Sequence, residues 1–331
     1  MDHLQRSLLN TYSGQPLDRA AHGRKQLHWL EQQAVHPDAQ YLLLHNEQVI
    51  TQGNQPLFLN QLQYQQLQGT SQAVLLGLNT ASPECVYPVY MLNLEQPECE
   101  LSVVNDKPAS LCELQALRQL TPHLSDTMAA LCAYALILNH WHQTTQFCTR
   151  CGSALVKIEG GVAQQCCNDA CAHIEFPRIN AAVIMRVTHQ DKILLARQES
   201  WPEHRYSVLA GFVEVGESLE MAVQREVMEE VSILVENIHY HSSQPWPFPN
   251  SLMLGYTAEA QQTTLGLEQD DIAEALWLTA KELQEKMLEG SVMPPPDLSI
   301  SYRLIDDWFY QQCGQHLHEF QSKKPWFVEP S

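Results

Sequence analysis

Three short apolar runs, at residues 41–50, 73–78 and 87–94, alternate with Gln-, Asn-, Gly- and Pro-bearing stretches and predict a small mixed sheet in roughly the first 140 residues. The Gln-rich run 61–68 between them reads as a solvated helix or loop. Ser125 and Asp126 can cap a helix over 127–142, whose Ala and Leu content suits burial. Farther on, 181–187 and 192–197 are dense enough in apolar residues for buried strands, with a turn at 188–191 between them. Over 219–231 the spacing becomes helical, with charge on one side. Residues 251–260 and 275–280 read as strands, and 281–290 and 301–313 as helices. Strands and helices alternate without the glycine fingerprint of a dinucleotide fold, so the second half reads as an α/β sandwich behind a small α+β domain. The expected division is 1–142, 143–176 and 177–331.

Composition narrows the class. The 331 residues carry 19 Lys and Arg against 38 Asp and Glu, a formal charge of −19, which argues against a general phosphate-backbone binder. The longest apolar run, 128–138, is too short for a membrane span of about 20 residues. The opening MDHLQRSLLN lacks the apolar core of a secretion signal, so a cytoplasmic protein with no membrane association is expected. Five of the ten cysteines crowd between Cys148 and Cys171. Cys148 and Cys151 form C-x2-C, and Cys166 or the adjacent Cys167 can pair with Cys171, giving five candidates for four places. Two close thiol pairs on two turns suit a tetrahedral Zn2+ with no open position. Such a site braces structure and does no chemistry, so the activity must lie elsewhere.

The candidate chemistry is in GFVEVGESLEMAVQREVMEEVSI, residues 211–233. At about 100° per residue, Glu226, Glu229 and Glu230 fall within roughly one third of a helix circumference. Three carboxylates on one face repel unless a cation sits among them, and a hard divalent ion such as Mg2+ or Mn2+ prefers oxygen ligands. Arg225 is placed to orient the carboxylates. The competing reading of the helix pattern alone is a solvated acidic face.

The whole string resembles the Nudix box, G-x5-E-x7-R-E-U-x-E-E-x-G-U with U aliphatic, through Gly211, Glu217, Arg225, Glu226, Val227, Glu229, Glu230 and Ile233. Ser232 stands where that family has a helix-ending glycine. The resemblance implies a Nudix α/β/α sandwich with a mixed sheet over 177–331, a zinc ribbon over 143–176 and an N-terminal Nudix-like domain over 1–142. It also implies divalent-cation-dependent hydrolysis of a diphosphate, with Glu226 and Glu230 as main ligands, Glu229 as a further ligand or water-orienting group, and the Ala210 carbonyl and Glu274 as further ligands.

Downstream lies SQPWPFPNS, residues 243–251, whose three prolines and two aromatic rings read as a stiff extended loop. It matches the SQPWPFPxS signature of the NADH pyrophosphatase (NAD-capped RNA hydrolase) group. The order of FCxxCG at 147–152, cysteine ribbon, FPR at 176–178, box and signature is that group's order. By this resemblance the zinc ligands are Cys148, Cys151, Cys166 and Cys171. Substrate contacts fall to Phe176, Phe212, Gln244, Pro245, Trp246, Pro247, Phe248, Pro249, Asn250, Ser251 and Ser301. The resemblance further implies a homodimer that splits NADH or NAD+ into NMN(H) and AMP, or removes NAD caps from RNA 5′ ends. The alternatives are a broader nucleotide-sugar or ADP-ribose diphosphatase, and a zinc-ribbon nucleic-acid-binding regulator carrying an inactive Nudix domain.

Overall fold

Alternation along one strand decides the layering of the catalytic half. In the strand Asn180–His189 of the computed structural model, Val183, Met185 and Val187 enter one core while Ile184 enters a second. The first core is closed by Val223, Val227 and Val231 of the helix Leu219–Val231. The second is closed by Leu283 and Met287 of the helix Ala280–Glu289, and by Leu304, Ile305, Trp308 and Phe309 of the helix Ile300–Cys313. A sheet with helices on both faces is the α/β/α layering expected from the sequence.

The structure describes residues 2–67, 72–82, 84–104, 112–267 and 272–320. Five strands of this sheet run in the spatial order Val235–Trp246, Ser251–Ala260, Asn180–His189, Lys192–Gln198, Ile272–Thr279, and Leu209–Phe212 also pairs with Asn180–His189. Asn180–His189 is parallel to Ser251–Ala260 and antiparallel to Lys192–Gln198 and Leu209–Phe212, so the sheet is mixed. Val235–Trp246 is a strand the sequence pattern did not announce. Its ladder depends on backbone groups, while its side chains, among them Glu236, Asn237, His239, His241, Ser242 and Ser243, hide the apolar alternation. Residues 243–246, expected as loop, therefore belong to a strand, and a turn occupies 247–250.

Before residue 180, a seven-stranded sheet encloses a core that includes Tyr41, Leu43, Ile50, Leu59, Leu75 and Leu92. The Gln-rich run forms a short helix, Gln61–Gln66, whose N-cap Asn60 accepts from the Gln63 N–H; Gln68 lies outside the described residues. Ser125 caps the helix Asp126–Thr144 by accepting from the Met128 N–H. A small three-stranded ribbon follows, of Leu155–Ile158, Ala163–Cys166 and Ile174–Glu175.

Contacts divide the chain into two compact units. One comprises Met1–Ser13, Asn180–Pro245 and Ser251–Ser331; the other comprises Gly14–Ile179 and Trp246–Asn250. Among the described residues no helix is long and apolar enough to cross a membrane.

The helix Leu219–Val231 starts on Ser218, whose hydroxyl accepts from the Met221 N–H, and ends on Ser232 in the left-handed conformation, φ 59° and ψ 39°. Serine pays for that conformation where glycine would not, but its hydroxyl donates to the Gly266 carbonyl at 3.3 Å. Ser232→Gly removes about 1 kcal/mol of backbone cost together with a hydrogen bond worth about 0.5–1.5 kcal/mol. The two effects nearly cancel, so calorimetry should find a melting shift below about 2 °C.

Candidate functional site

Arg225 organises the acidic helix face. Its Nε donates to Glu217 Oε1 at 2.6 Å and its Nη2 to Glu217 Oε2 at 3.1 Å. Its Nη1 donates to Glu226 and to Glu229, each at 2.8 Å, and Nη2 also reaches the Phe212 carbonyl at 2.8 Å. Spacing explains the set: Glu229 is one turn along the helix, and Glu217 lies on the loop that leads into it. Those bonds push the Arg225 pKa up, led by the bond to Glu217, and hold the Glu217 carboxyl below its ordinary value. Glu230 is different. It is 7% exposed, on a helix that also buries Val227 and Val231.

Gly211 has a steric reason to be glycine. An added Cβ there would lie 1.8 Å from Glu226 Cδ and 2.0 Å from both of its carboxylate oxygens. The Glu226 carboxylate thus occupies the space directly over Gly211, next in the strand Leu209–Phe212 to Ala210, whose carbonyl is a candidate ligand. Gly211→Ala forces the flexible end of Glu226 aside and leaves the core untouched. It should preserve the melting temperature and lower turnover about 10²-fold, the cost typical of a group misplaced by about 1 Å; steady-state kinetics and calorimetry on the same sample check it.

Glu274 is held elsewhere, by a 2.6 Å hydrogen bond from the Tyr206 hydroxyl. Burial, then that carboxylate, pushes the Tyr206 phenol up to about 12. Among the described residues Glu226, Glu230 and Glu274 do not form a tight cluster of ligating atoms. Like charges separate, while Arg225 and Tyr206 supply hydrogen bonds that hold Glu226 and Glu274 in their places. The oxygen-only donor set of Glu226, Glu230 and the Ala210 carbonyl nevertheless fits a hard divalent cation. Phe212 is 60% exposed and free to present its ring. Ser301 is buried: its hydroxyl shares a 2.7 Å hydrogen bond with Ser207, accepts from the Val208 N–H at 3.3 Å, and its own N–H is turned to Ser299 Oγ.

The signature residues separate into inward and outward groups. Gln244 is fully buried, donates to the carbonyls of Thr11 and Leu298 at 2.9 and 2.8 Å, and accepts from the Ile300 N–H at 2.8 Å. It is a strut joining three segments. Ser251 pairs with Asn180 in the sheet. Asn250 is buried and donates to the Arg178 carbonyl at 3.1 Å. Pro245 is half-buried, Pro247 buried and Pro249 exposed. Trp246 and Phe248 meet edge to face with centroids 5.1 Å apart, and the Arg118 guanidinium lies 4.1 Å from the Phe248 ring centre and 5.4 Å from that of Trp246. Phe176 stands 66% exposed. Arg118 and Tyr206 escape a reading of the sequence, because a lone Arg in LRQL and a lone Tyr in HRYSV have no informative spacing.

The thiols of Cys148, Cys151, Cys166 and Cys171 all lie within 4.8 Å of one another, and Cys167 is outside the group and exposed. Cys148 and Cys171 Sγ are 3.8 Å apart, and Cys151 and Cys166 Sγ 3.4 Å. Four sulfurs about 2.3 Å from one ion in a tetrahedron are separated by about 3.8 Å, so the quartet fits zinc.

Two family models match the chain: the NUDIX domain over residues 177–294, and the NADH pyrophosphatase-like rudimentary NUDIX domain over 38–141. The chain is 37% identical over 227 residues to the NAD-capped RNA hydrolase NudC of Pseudomonas syringae, covering 69% of this chain and 75% of that one. It is 36% identical over 213 residues to the NAD-capped RNA hydrolase NudC of Mycobacterium bovis, covering 61% of this chain and 66% of that one. The NAD-capped RNA hydrolase NUDT12 of Homo sapiens is 36% identical over 196 residues, 56% of this chain; the match spans 42% of the human protein's length.

Proposed function

Because the chain belongs to the Nudix hydrolases, in the NADH pyrophosphatase group, we propose that it hydrolyses the diphosphate of NADH or NAD+ to NMN(H) and AMP, and acts likewise on NAD-capped RNA 5′ ends. The observation that carries this reading is the Arg225 clamp, which fixes Glu217, Glu226 and Glu229 around one guanidinium on the helix that also bears Glu230.

Glu226 and Glu230, with the Ala210 carbonyl, would hold Mg2+ or Mn2+, with Glu274 as an outlying ligand. When bound, the cation neutralises charge that builds on the phosphate oxygens. Arg225 sets the Glu226 and Glu229 carboxylates before substrate arrives, so little reorganisation is left for the reaction. Glu229, with a side chain 53% exposed, orients the attacking water, and a carboxylate of this face takes its proton. The water oxygen bonds to one phosphorus as the bridging P–O bond breaks, and the bridging oxygen leaves on the other phosphate. The Trp246, Phe248 and Phe176 rings are candidate base contacts, and the exposed Phe212 ring beside the box is another, while Gln244, Asn250, Ser251 and Ser301 each hold their local backbone in place. Cys148, Cys151, Cys166 and Cys171 hold one structural zinc. A cluster of thiols arranged as metal ligands suits a reducing cytoplasm, and the family resemblance supports a homodimer.

Side-by-side hydrolysis of NADH, NAD+, ADP-ribose and NAD-capped RNA tests the reading. ADP-ribose as the preferred substrate would move it to a broader diphosphatase; no hydrolysis of any of the four would move it to a regulator. In the same assays Trp246→Ala should raise KM for NADH about tenfold or more, since losing a stacked ring costs about 1–3 kcal/mol per base, with little change in turnover on a small diphosphate ester. An equal loss on both substrates would reassign the ring to support of the fold.

A further inference from the structure

A cavity of about 750 Å3 lies within the unit that contains residues 14–179, away from the box helix in sequence and composed of different chemistry. Its walls include Tyr41, Tyr64 and Tyr90, and its cationic lining is Arg24, Lys25 and Lys157. Among the described residues Glu159 is the one acidic side chain in that lining, in a chain whose acidic residues outnumber its basic ones 38 to 19. The cavity is therefore a local reversal of the protein's charge.

The aromatic wall is ordered. The Tyr41 ring is nearly parallel to those of Tyr64 and Tyr90, with centroids 4.1 and 5.0 Å away and interplanar angles of 14° and 13°. Tyr41 is tied down by a 2.6 Å hydrogen bond from its hydroxyl to Gln61.

Arg24 is the unusual member. It is 4% exposed, donates through Nη1 to the carbonyls of Leu75 and Glu159 at 2.8 and 3.3 Å, and through Nε to the Arg19 carbonyl. Its Nη2 is buried and has no hydrogen-bond partner among the described residues. Nor, among those residues, does a carboxylate oxygen come within 4.0 Å of a charged nitrogen of Arg24, Lys25 or Lys157. A buried cation with a donor left over is costly unless an anion completes it. Burial already lowers the Arg24 pKa. Gly160 and Gly161, both at positive φ, let the ribbon's backbone pass close by: a Cβ on Gly160 would meet Arg24 Nη1 at 3.2 Å, and one on Gly161 would meet Val74 at 2.7 Å.

We propose that this cavity is a second ligand site, for a nucleoside monophosphate whose base packs on Tyr64, the half-buried end of the tyrosine stack, and whose phosphate meets Arg24 Nη2, Lys25 and Lys157. The volume suits a small molecule, the Tyr64 ring suits a flat base, and, among the described residues, three cations beside one carboxylate suit a dianion. The site is independent of the hydrolytic one and requires no metal.

The test is equilibrium dialysis of the zinc-loaded full chain with AMP, adenosine and inorganic phosphate, with no Mg2+ or Mn2+ added. AMP should bind at least tenfold tighter than adenosine or phosphate. The double variant Lys25→Ala/Lys157→Ala, which changes two exposed side chains, should lose at least tenfold in AMP affinity with its melting temperature unchanged. Trp246→Ala should bind AMP as the parent does. No AMP binding to the zinc-loaded protein without Mg2+ or Mn2+, equal affinity in the double variant, or a loss confined to Trp246→Ala would each overturn the proposal.

Discussion

Glu230→Gln is expected to lower turnover on NADH by about 10²–10³-fold, the scale on which removing one preorganised electrostatic group acts. The amide keeps the shape of the carboxylate and removes the charge that holds a hard cation. Arg225, whose bonds go to Glu217, Glu226 and Glu229, keeps all of them in this variant, so the helix face stays assembled. Glu226→Gln is a less clean probe because it also weakens one of those bonds. The measurement is a Mg2+ or Mn2+ titration of turnover, with circular dichroism on the same protein. Parental rates in Glu230→Gln, or in parental protein under excess chelator, would remove the carboxylate helix from the mechanism.

The second large effect belongs to the thiols. Cys148→Ser or Cys171→Ser should abolish zinc binding and unfold the ribbon, whereas Cys167→Ser should retain one zinc per chain. Three strands of four, four and two residues bury little apolar surface, so the ribbon has no core of its own to fall back on. Structural zinc contributes apparent free energies of about 10–16 kcal/mol in small metal-dependent domains, far more than so short a sheet supplies. Metal analysis and hydrogen exchange over residues 147–175 would read both halves of the expectation. Zinc retained in Cys148→Ser, or lost from Cys167→Ser, would assign the metal to a different set of sulfurs.

Much of the architecture is legible from periodicity because burial there is one-sided and regular. The helix predicted over 219–231 is found at Leu219–Val231, since Val223, Val227 and Val231 recur one turn apart on a stripe beside the acids. The strands over 181–187 and 192–197 extend to Asn180–His189 and Lys192–Gln198 because both are buried on two faces and bounded by a turn. Val235–Trp246 was illegible for the opposite reason: its polar side chains give no apolar period. The helix His3–Leu8 gave no apolar period, being short and without a buried residue, yet its Ser7, and Asn10 just beyond it, bond to residues 242 and 243. At the candidate site, motif spacing named the acids, but what holds each acid, Tyr206 for Glu274 and the space over Gly211 for Glu226, depends on strands brought together from different parts of the chain. Only folding reveals such partners. Gln244 shows a further limit, because a motif position can be fixed by an inward hydrogen-bonding duty rather than by the ligand it neighbours.

The chain crosses from one compact unit to the other four times, after residues 13, 179, 245 and 250. No single cut can therefore release either unit whole. A fragment beginning at residue 177 would lose the segment that supplies Thr11 to Gln244 and Asn10 to Ser243, and one ending at residue 176 would lose the five residues at Trp246–Asn250 that complete the other unit. The protein is in this sense spliced rather than strung, and its two units are inherited, expressed and lost together.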